Sequence, residues 1–156
     1  MDAIRTILFD GASLQIGQFE ARPVSDACGD VQWQDSNVVV LPVSGVFSKH
    51  DAPGRHVIGT PSHAVFVAAD TPYRISFPGA IGDRALTLRF GQHLAADQPD
   101  SGGEVMASHG LLPPGAIMLR NLLGHASKVQ RRTSSRPRRL VLTSLIFHSG
   151  RCAQPA

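Results

Sequence analysis

The stretch AVFVAADTPYRISFPGAIGDRALTLRF, residues 64–90, decides the fold. Ala64-Val65-Phe66-Val67 is apolar throughout, and Asp70-Thr71-Pro72 ends it with turn chemistry, because Pro presets φ and Asp hydrogen-bonds its own backbone. Tyr73-Arg74-Ile75-Ser76-Phe77 then alternates apolar and polar, the period of a strand with one face buried. Pro78-Gly79 and Gly82-Asp83 bracket a loop, after which Ala85-Leu86-Thr87-Leu88-Arg89-Phe90 alternates again. Strands this close together leave no room for an intervening helix, which argues against a doubly wound α/β fold.

Upstream the same grammar repeats. Ile4 to Phe9 is apolar and β-prone and stops at Asp10-Gly11, and Ser13 to Glu20 alternates. The turn Cys28-Gly29-Asp30 precedes Val31–Gln34. Val38-Val39-Val40-Leu41 is the continuous run of a strand buried on both faces. Val46 to His50 follows Ser44-Gly45, and His56 to Ile58 follows Pro53-Gly54. Nine short strands with turn signals every ~8–12 residues predict a mainly β domain, an antiparallel sandwich, jelly roll or small barrel.

Downstream the period changes. Residues 92–110 read as a polar linker containing Asp97-Gln98-Pro99-Asp100-Ser101-Gly102-Gly103. Leu112, Ala116, Leu119, Leu123 and Ala126 then recur at helical spacing, with Pro113 and Pro114 where a helix can start. Pro137 opens a second short helix, Leu140–His148, which Gly150 stops. The expected domains are a barrel over 1–92, a linker over 93–111, a helical segment over 112–149 and a tail over 150–156.

The length of 156 residues fits one domain. The net charge of +3 hides an asymmetry. All 12 acidic residues lie at or before Glu104, where seven basic residues oppose them, so that part carries −5. The remainder holds eight basic residues and no acid. Lys128, Arg131, Arg132, Arg136, Arg138 and Arg139 concentrate that charge in the stretch 128–139. Such a run neutralises phosphates without reading sequence, and it has no interleaved aromatic on which bases could stack. The start MDAIRTILFD lacks the apolar core of a secretory signal, so a reducing cytoplasm is expected, with Cys28 and Cys152 as free thiols. No run of about 18 apolar residues occurs, so no membrane partner is expected.

Phosphate-cradle, zinc-protease, C-x-x-C and nucleophile-elbow motifs are all missing. Seven histidines are many for this length, but the spacing of His50, His56 and His63 specifies no metal geometry.

The segment Gly45–Phe90 resembles the N-terminal sensor domain of AraC-type bacterial transcription regulators. The resemblance lies in Gly45-Val46-Phe47 followed by Lys49-His50, in the Ala64-x-Phe66 strand, in Pro72-Tyr73-Arg74-Ile75-Ser76 followed by Pro78-Gly79, and in Gly82-Asp83-Arg84. Ile16-Gly17-Gln18-Phe19 suits an early strand of that domain, so the match spans roughly residues 10–91. It implies a cupin-like β-barrel that holds a small effector, followed by helices that dimerise. It departs from metal-dependent cupins, because no H-x-H pair is present, and from full-length regulators, whose paired helix-turn-helix units find no counterpart in this sequence.

These readings lead to a small-molecule-sensing and dimerisation domain, stand-alone or truncated, that is not an enzyme and uses no catalytic residue, metal or cofactor. The ligand-binding candidates are Phe47, His50, His56, Phe66, Tyr73 and Arg74. Phe47 and Phe66 supply packing area, His50, His56 and Tyr73 supply hydrogen bonds, and Arg74 pairs with an anion. Strand alternation lets only one of Tyr73 and Arg74 line the cavity. The expected partners are a small-molecule effector, a second copy through residues 112–148, and full-length regulators as heterodimers. Direct specific DNA binding is not expected. The alternative is a small cupin enzyme, a metal-assisted isomerase or oxygenase.

Overall fold

A computed structural model describes residues 2–91 and 108–133, with side chains as far as His125. Among the described residues nine strands form two antiparallel sheets. In chain order they are β1 (Asp2–Asp10), β2 (Leu14–Arg22), β3 (Val38–Ser44), β4 (Phe47–Ala52), β5 (Arg55–Gly59), β6 (His63–Val67), β7 (Arg74–Ser76), β8 (Arg84–Phe90) and β9 (His109–Leu111). The large sheet runs β1-β2-β8-β3-β6-β9 and the small sheet β5-β4-β7. One α-helix, α1 (Pro114–Thr133), follows.

Strand parity sets what faces the space between the sheets. On the large sheet the inner rows are Arg5–Phe19–Ala85, Ile7–Gly17–Thr87–Val40–Val65 and Gln15–Arg89–Val38–Val67. On the small sheet Lys49 stands between Val57 and Ile75. Ala21, Phe47, Val57, Val65 and Phe77 make one buried cluster, and Val38, Val67 and Tyr73 make a second. Val65 and Ala85 have no exposed surface, which marks the centre of the sandwich.

Two tight turns depend on glycine. Gly45 has φ +83°, and a Cβ there would stand 2.1 Å from the Gly82 carbonyl oxygen. That approach joins the β3–β4 connection to the turn before β8.

The jelly-roll reading holds for mainly β, antiparallel layers, but not for a closed barrel. The two sheets share no strand among the described residues, and the small sheet ends on β5 and β7. Segment 29–34 lines the β7 edge instead. The Gly29 N–H donates to the Ile75 carbonyl at 2.8 Å, and Gln32 and Tyr73 exchange two bonds of 2.9 Å. Val31–Gln34, expected as a strand, therefore makes only isolated bridges at Gln32 and Gln34. The ninth strand is β9 instead, in the segment read as linker, paired with β6.

The helical reading changes too. One helix of 20 residues replaces the first of two short ones and carries Lys128, Arg131 and Arg132 in its last turns. The second expected helix, at 140–148, lies outside the described residues. Arg120 is 4% exposed and fastens α1 to the outer face of the large sheet, its Nη1 donating to the carbonyls of Pro42 and Pro61. The expected stripe divides: Ala116 and Leu123 are half-buried, whereas Leu119 is exposed beside Met118 and Leu122. No described helix is long and apolar enough to cross a membrane. Cys28 is disulfide-bonded rather than a free thiol. The compartment argument from free thiols loses that support, and Cys152 lies outside the described residues.

Candidate functional site

The inner space has an apolar half around Phe47 and Phe77 and a polar half around Tyr73. Tyr73 is 7% exposed and packs on Val38 and Val67 from the facing sheet. Its hydroxyl accepts a hydrogen bond of 2.8 Å from Gln34 Nε2. Gln34 Oε1 in turn accepts from Arg89 Nη2 at 2.8 Å. Arg89 Nη1 binds Ser36 Oγ at 3.0 Å and pairs with Asp35, whose side chain is 85% exposed. On the small sheet Lys49 is 5% exposed, forms an ion pair with Asp51, and holds its Nζ 5.8 Å from the centre of the Tyr73 ring.

The chain Lys49–Tyr73–Gln34–Arg89 thus crosses from one sheet to the other. Burial raises the Tyr73 hydroxyl above its ordinary pKa of 10.0, against the Gln34 hydrogen bond and the charges of Arg5 and Arg89. Arg5 stands on the same inner face, on the edge strand β1. Partial burial lowers its guanidinium from the ordinary value, and the like charge of Arg89 adds to this. Arg89 also lines an open cleft of about 340 Å³ beside the β1–β2 turn, whose wall includes Asp10, Gln15, Asp35, Ser36 and Phe90.

The six residues expected to line a cavity separate onto three surfaces. Phe47 and Tyr73 face inward, Phe47 within the apolar cluster and Tyr73 within the polar one. His50, His56 and Arg74 lie on the outer face of the small sheet, because each alternates with an inward neighbour: Lys49, Val57 and Ile75. There His50 and His56 stand directly opposite with ring centres 5.5 Å apart, and His50 Nε2 lies 2.8 Å from Ser76 Oγ. Burial lowers the His50 pKa, the charge of His56 lowers it further, and Asp51 opposes both. Arg74 Nη1 donates to the Gly29 carbonyl at 3.1 Å. Phe66 pairs with Val39 on the outer face of the large sheet. Of Tyr73 and Arg74, it is Tyr73 that turns inward.

Sequence reasoning missed Arg5, Gln34, Lys49, Asp51 and Arg89. Parity offered a signal for Lys49, which shares a face with Phe47, and for Arg89, which shares one with Ala85 and Thr87. Among the described residues no group of three or more His, Cys, Asp or Glu side chains is placed to hold a metal ion.

No protein-family model matches the chain, and no curated protein matches it. Solved structures do. A candidate mannose-6-phosphate isomerase from Ralstonia eutropha matches at 17% identity and TM-score 0.50, over 58% of this chain and 85% of that one. A structural-genomics protein of unknown function from Rhizobium leguminosarum matches at 13% and 0.50, over 58% and 82%. A cupin superfamily protein from Desulfitobacterium hafniense matches at 13% and 0.47, over 58% and 79%. At these identities the likeness is one of fold alone.

Proposed function

We propose that the protein is a small-molecule sensor in which a ligand binds between the sheets at the Tyr73 cluster, without covalent chemistry. The observation that carries this reading is the ion pair and hydrogen-bonded chain built into the sandwich: Lys49–Asp51, then Tyr73–Gln34–Arg89. Apolar side chains of equal volume would hold two sheets together as well or better, because a buried ion pair rarely repays its desolvation. Polar groups converging beside apolar walls are what a pocket for a small molecule uses for orientation.

The AraC-type resemblance of Gly45–Phe90 supports a role in bacterial transcription regulation in the cytoplasm. The solvent face of α1 supports dimerisation. Met118, Leu119 and Leu122 are 63%, 58% and 58% exposed on the side opposite Arg120, an apolar stripe that a second copy would cover. The same stripe would pair with full-length regulators. Sequence-specific DNA binding is not part of this reading.

A thermal-shift screen over sugars, amino acids and small aromatic acids tests it. A ligand that binds only the folded state at about a hundredfold its Kd adds about 2.7 kcal/mol. Arg89→Gln should erase that gain. A screen in which no compound raises the melting temperature would end the sensor reading.

One observation favours a small enzyme instead: Lys49 and Asp51 set an acid and a base beside the Tyr73 ring in a buried place. Stoichiometric Fe, Mn or Zn in purified protein, or turnover of an isomerisable sugar, would replace the sensor with that enzyme.

A further inference from the structure

We infer that His50 and His56 form a two-imidazole site for a divalent transition-metal ion of the Cu2+, Ni2+ and Zn2+ class, on the outer face of the small sheet. The site lies away from the Tyr73 cluster, and the inference goes beyond the sensor reading without resting on it.

Backbone register brings the two histidines together. β4 and β5 form a hairpin whose two-residue turn, Pro53-Gly54, sets Ala52 against Arg55 and, past an irregularity at Asp51, His50 directly against His56. Both side chains stand on the outer face, with ring centres 5.5 Å apart and ring planes tilted by 37°. A zinc–nitrogen bond of about 2.0–2.1 Å places an ion about 3 Å from each ring centre. Two rings on one ion at a tetrahedral angle then have centres about 5 Å apart. The pair as it stands is therefore within a small side-chain adjustment of holding one ion.

The environment of His50 aims it at that ion. β4 is the middle strand in the order β5-β4-β7. His50 Nε2 lies 2.8 Å from Ser76 Oγ, on the β7 side. The two nitrogens of an imidazole point away from each other, so Nδ1 is presented to the β5 side, where His56 stands. With Nε2–H donating to the hydroxyl, Nδ1 keeps its lone pair. Ser76 then fixes tautomer and ring orientation, as outer-shell partners do at metal centres.

The charges around the pair leave room for a cation. Arg74 stands across His50 from His56, and its Nη1 donates to the Gly29 carbonyl at 3.1 Å, which anchors the guanidinium at the far β7 edge. Arg55 is exposed to water, which screens its charge. Asp51 is committed to Lys49. Among the described residues no third His, Cys, Asp or Glu joins the pair, so water completes the coordination. Imidazole ligands without a carboxylate select Cu2+, Ni2+ and Zn2+ over Mg2+ and Ca2+. A bound ion cross-links β4 to β5 one residue from Lys49, and so stiffens from outside the strand that faces the Tyr73 cluster.

Titration of the full chain, stripped with chelator and dialysed, tests this with Cu2+ by calorimetry and electron paramagnetic resonance, and with Mg2+ as control. Cu2+ should bind below about 100 µM, with hyperfine coupling to two imidazole nitrogens, and Mg2+ should not bind. Loss of an outer-shell partner alone costs about 10–100-fold in affinity, so His50→Gln and His56→Gln should each weaken Cu2+ at least tenfold and leave one coupled nitrogen. His56 is exposed, so its variant does not threaten the fold. His63 and His109 also approach, with ring centres 6.3 Å apart, and His109→Gln should leave binding unchanged. No binding of Cu2+ at about 100 µM, equal binding of Mg2+, or a His56→Gln variant that binds as the parent does would overturn the inference. Loss of binding in His109→Gln instead would place the ion elsewhere and overturn it too.

Discussion

Asp83 should make the protein less stable as pH rises through the mildly acidic range. The residue is 4% exposed, and its Oδ1 has no hydrogen-bond partner among the described residues. The backbone explains the burial. The Ala21 N–H donates to the Asp83 carbonyl at 2.9 Å, and the close approach of Gly45 to Gly82 fixes the turn in front of it. Loss of water raises the carboxyl from its ordinary 3.8 to about 6, opposed by a hydrogen bond from its own backbone. Between those two values the folded state holds a proton that the unfolded state has released. Stability from this group is therefore complete below about pH 4, falls as pH rises through about 6, and is level above that. A rise of about two pKa units corresponds to about 3 kcal/mol. Asp83→Asn removes the titration, so urea unfolding of variant and parent at pH 4 and pH 7 isolates it. Any fixed effect of the amide cancels in the comparison. The variant should gain about 3 kcal/mol on the parent between the two pH values. A difference that stays constant with pH would refute the claim that Asp83 is buried without adequate partners.

Other perturbations read other parts of the structure. Arg120→Leu should cost about 2–4 kcal/mol and speed amide exchange in α1 more than in the sheets, because two backbone carbonyls lose a charged donor. Uniform exchange throughout would contradict the docking role. Gly45→Ala should lose about 2 kcal/mol or more in denaturant titration, since it combines a left-handed φ with a contact no Cβ can make. Lys49→Met alone should destabilise by about 3–5 kcal/mol by stranding Asp51, and adding Asp51→Leu should recover most of that. If the double variant is no better than the single one, the two side chains are not coupled. Leu119→Asp with Leu122→Asp should leave melting unchanged but abolish dimers in light scattering. Dimers that survive would move the interface off the α1 stripe.

Much of the fold is legible because its strands carry their own punctuation. Tyr73 to Phe77 and Ala85 to Phe90 alternate between clear turns, and the structure forms β7 and β8 there, one in each sheet. Two elements carry no such signal. β9 is exposed along its length and holds Gly110 at its centre, so neither alternation nor burial marks it. Val31–Gln34 has strand composition, but its neighbours are the β7 edge and the turn before Tyr73, and both partners are set by tertiary packing.

The site was less legible for a geometric reason. Composition nominated aromatic residues and histidines, yet parity decides which of them face inward. With Phe47 inward, Lys49 must follow it and His50 must face away. Arg5 sits in a run whose apolar character hides it, and the sheet face it shares with Arg89 arises only from the order β1-β2-β8. Gln34 reaches Tyr73 only through the bend of segment 29–34.

The most direct test of the central claim is amide and arginine side-chain NMR during titration with whichever compound the screen selects. The account predicts that shifts converge on Tyr73, Gln34, Arg89 and Arg5, on the inner faces of both sheets. Shifts confined to the His50–His56 face, or to the outer face bearing Phe66, would place the ligand elsewhere and contradict it.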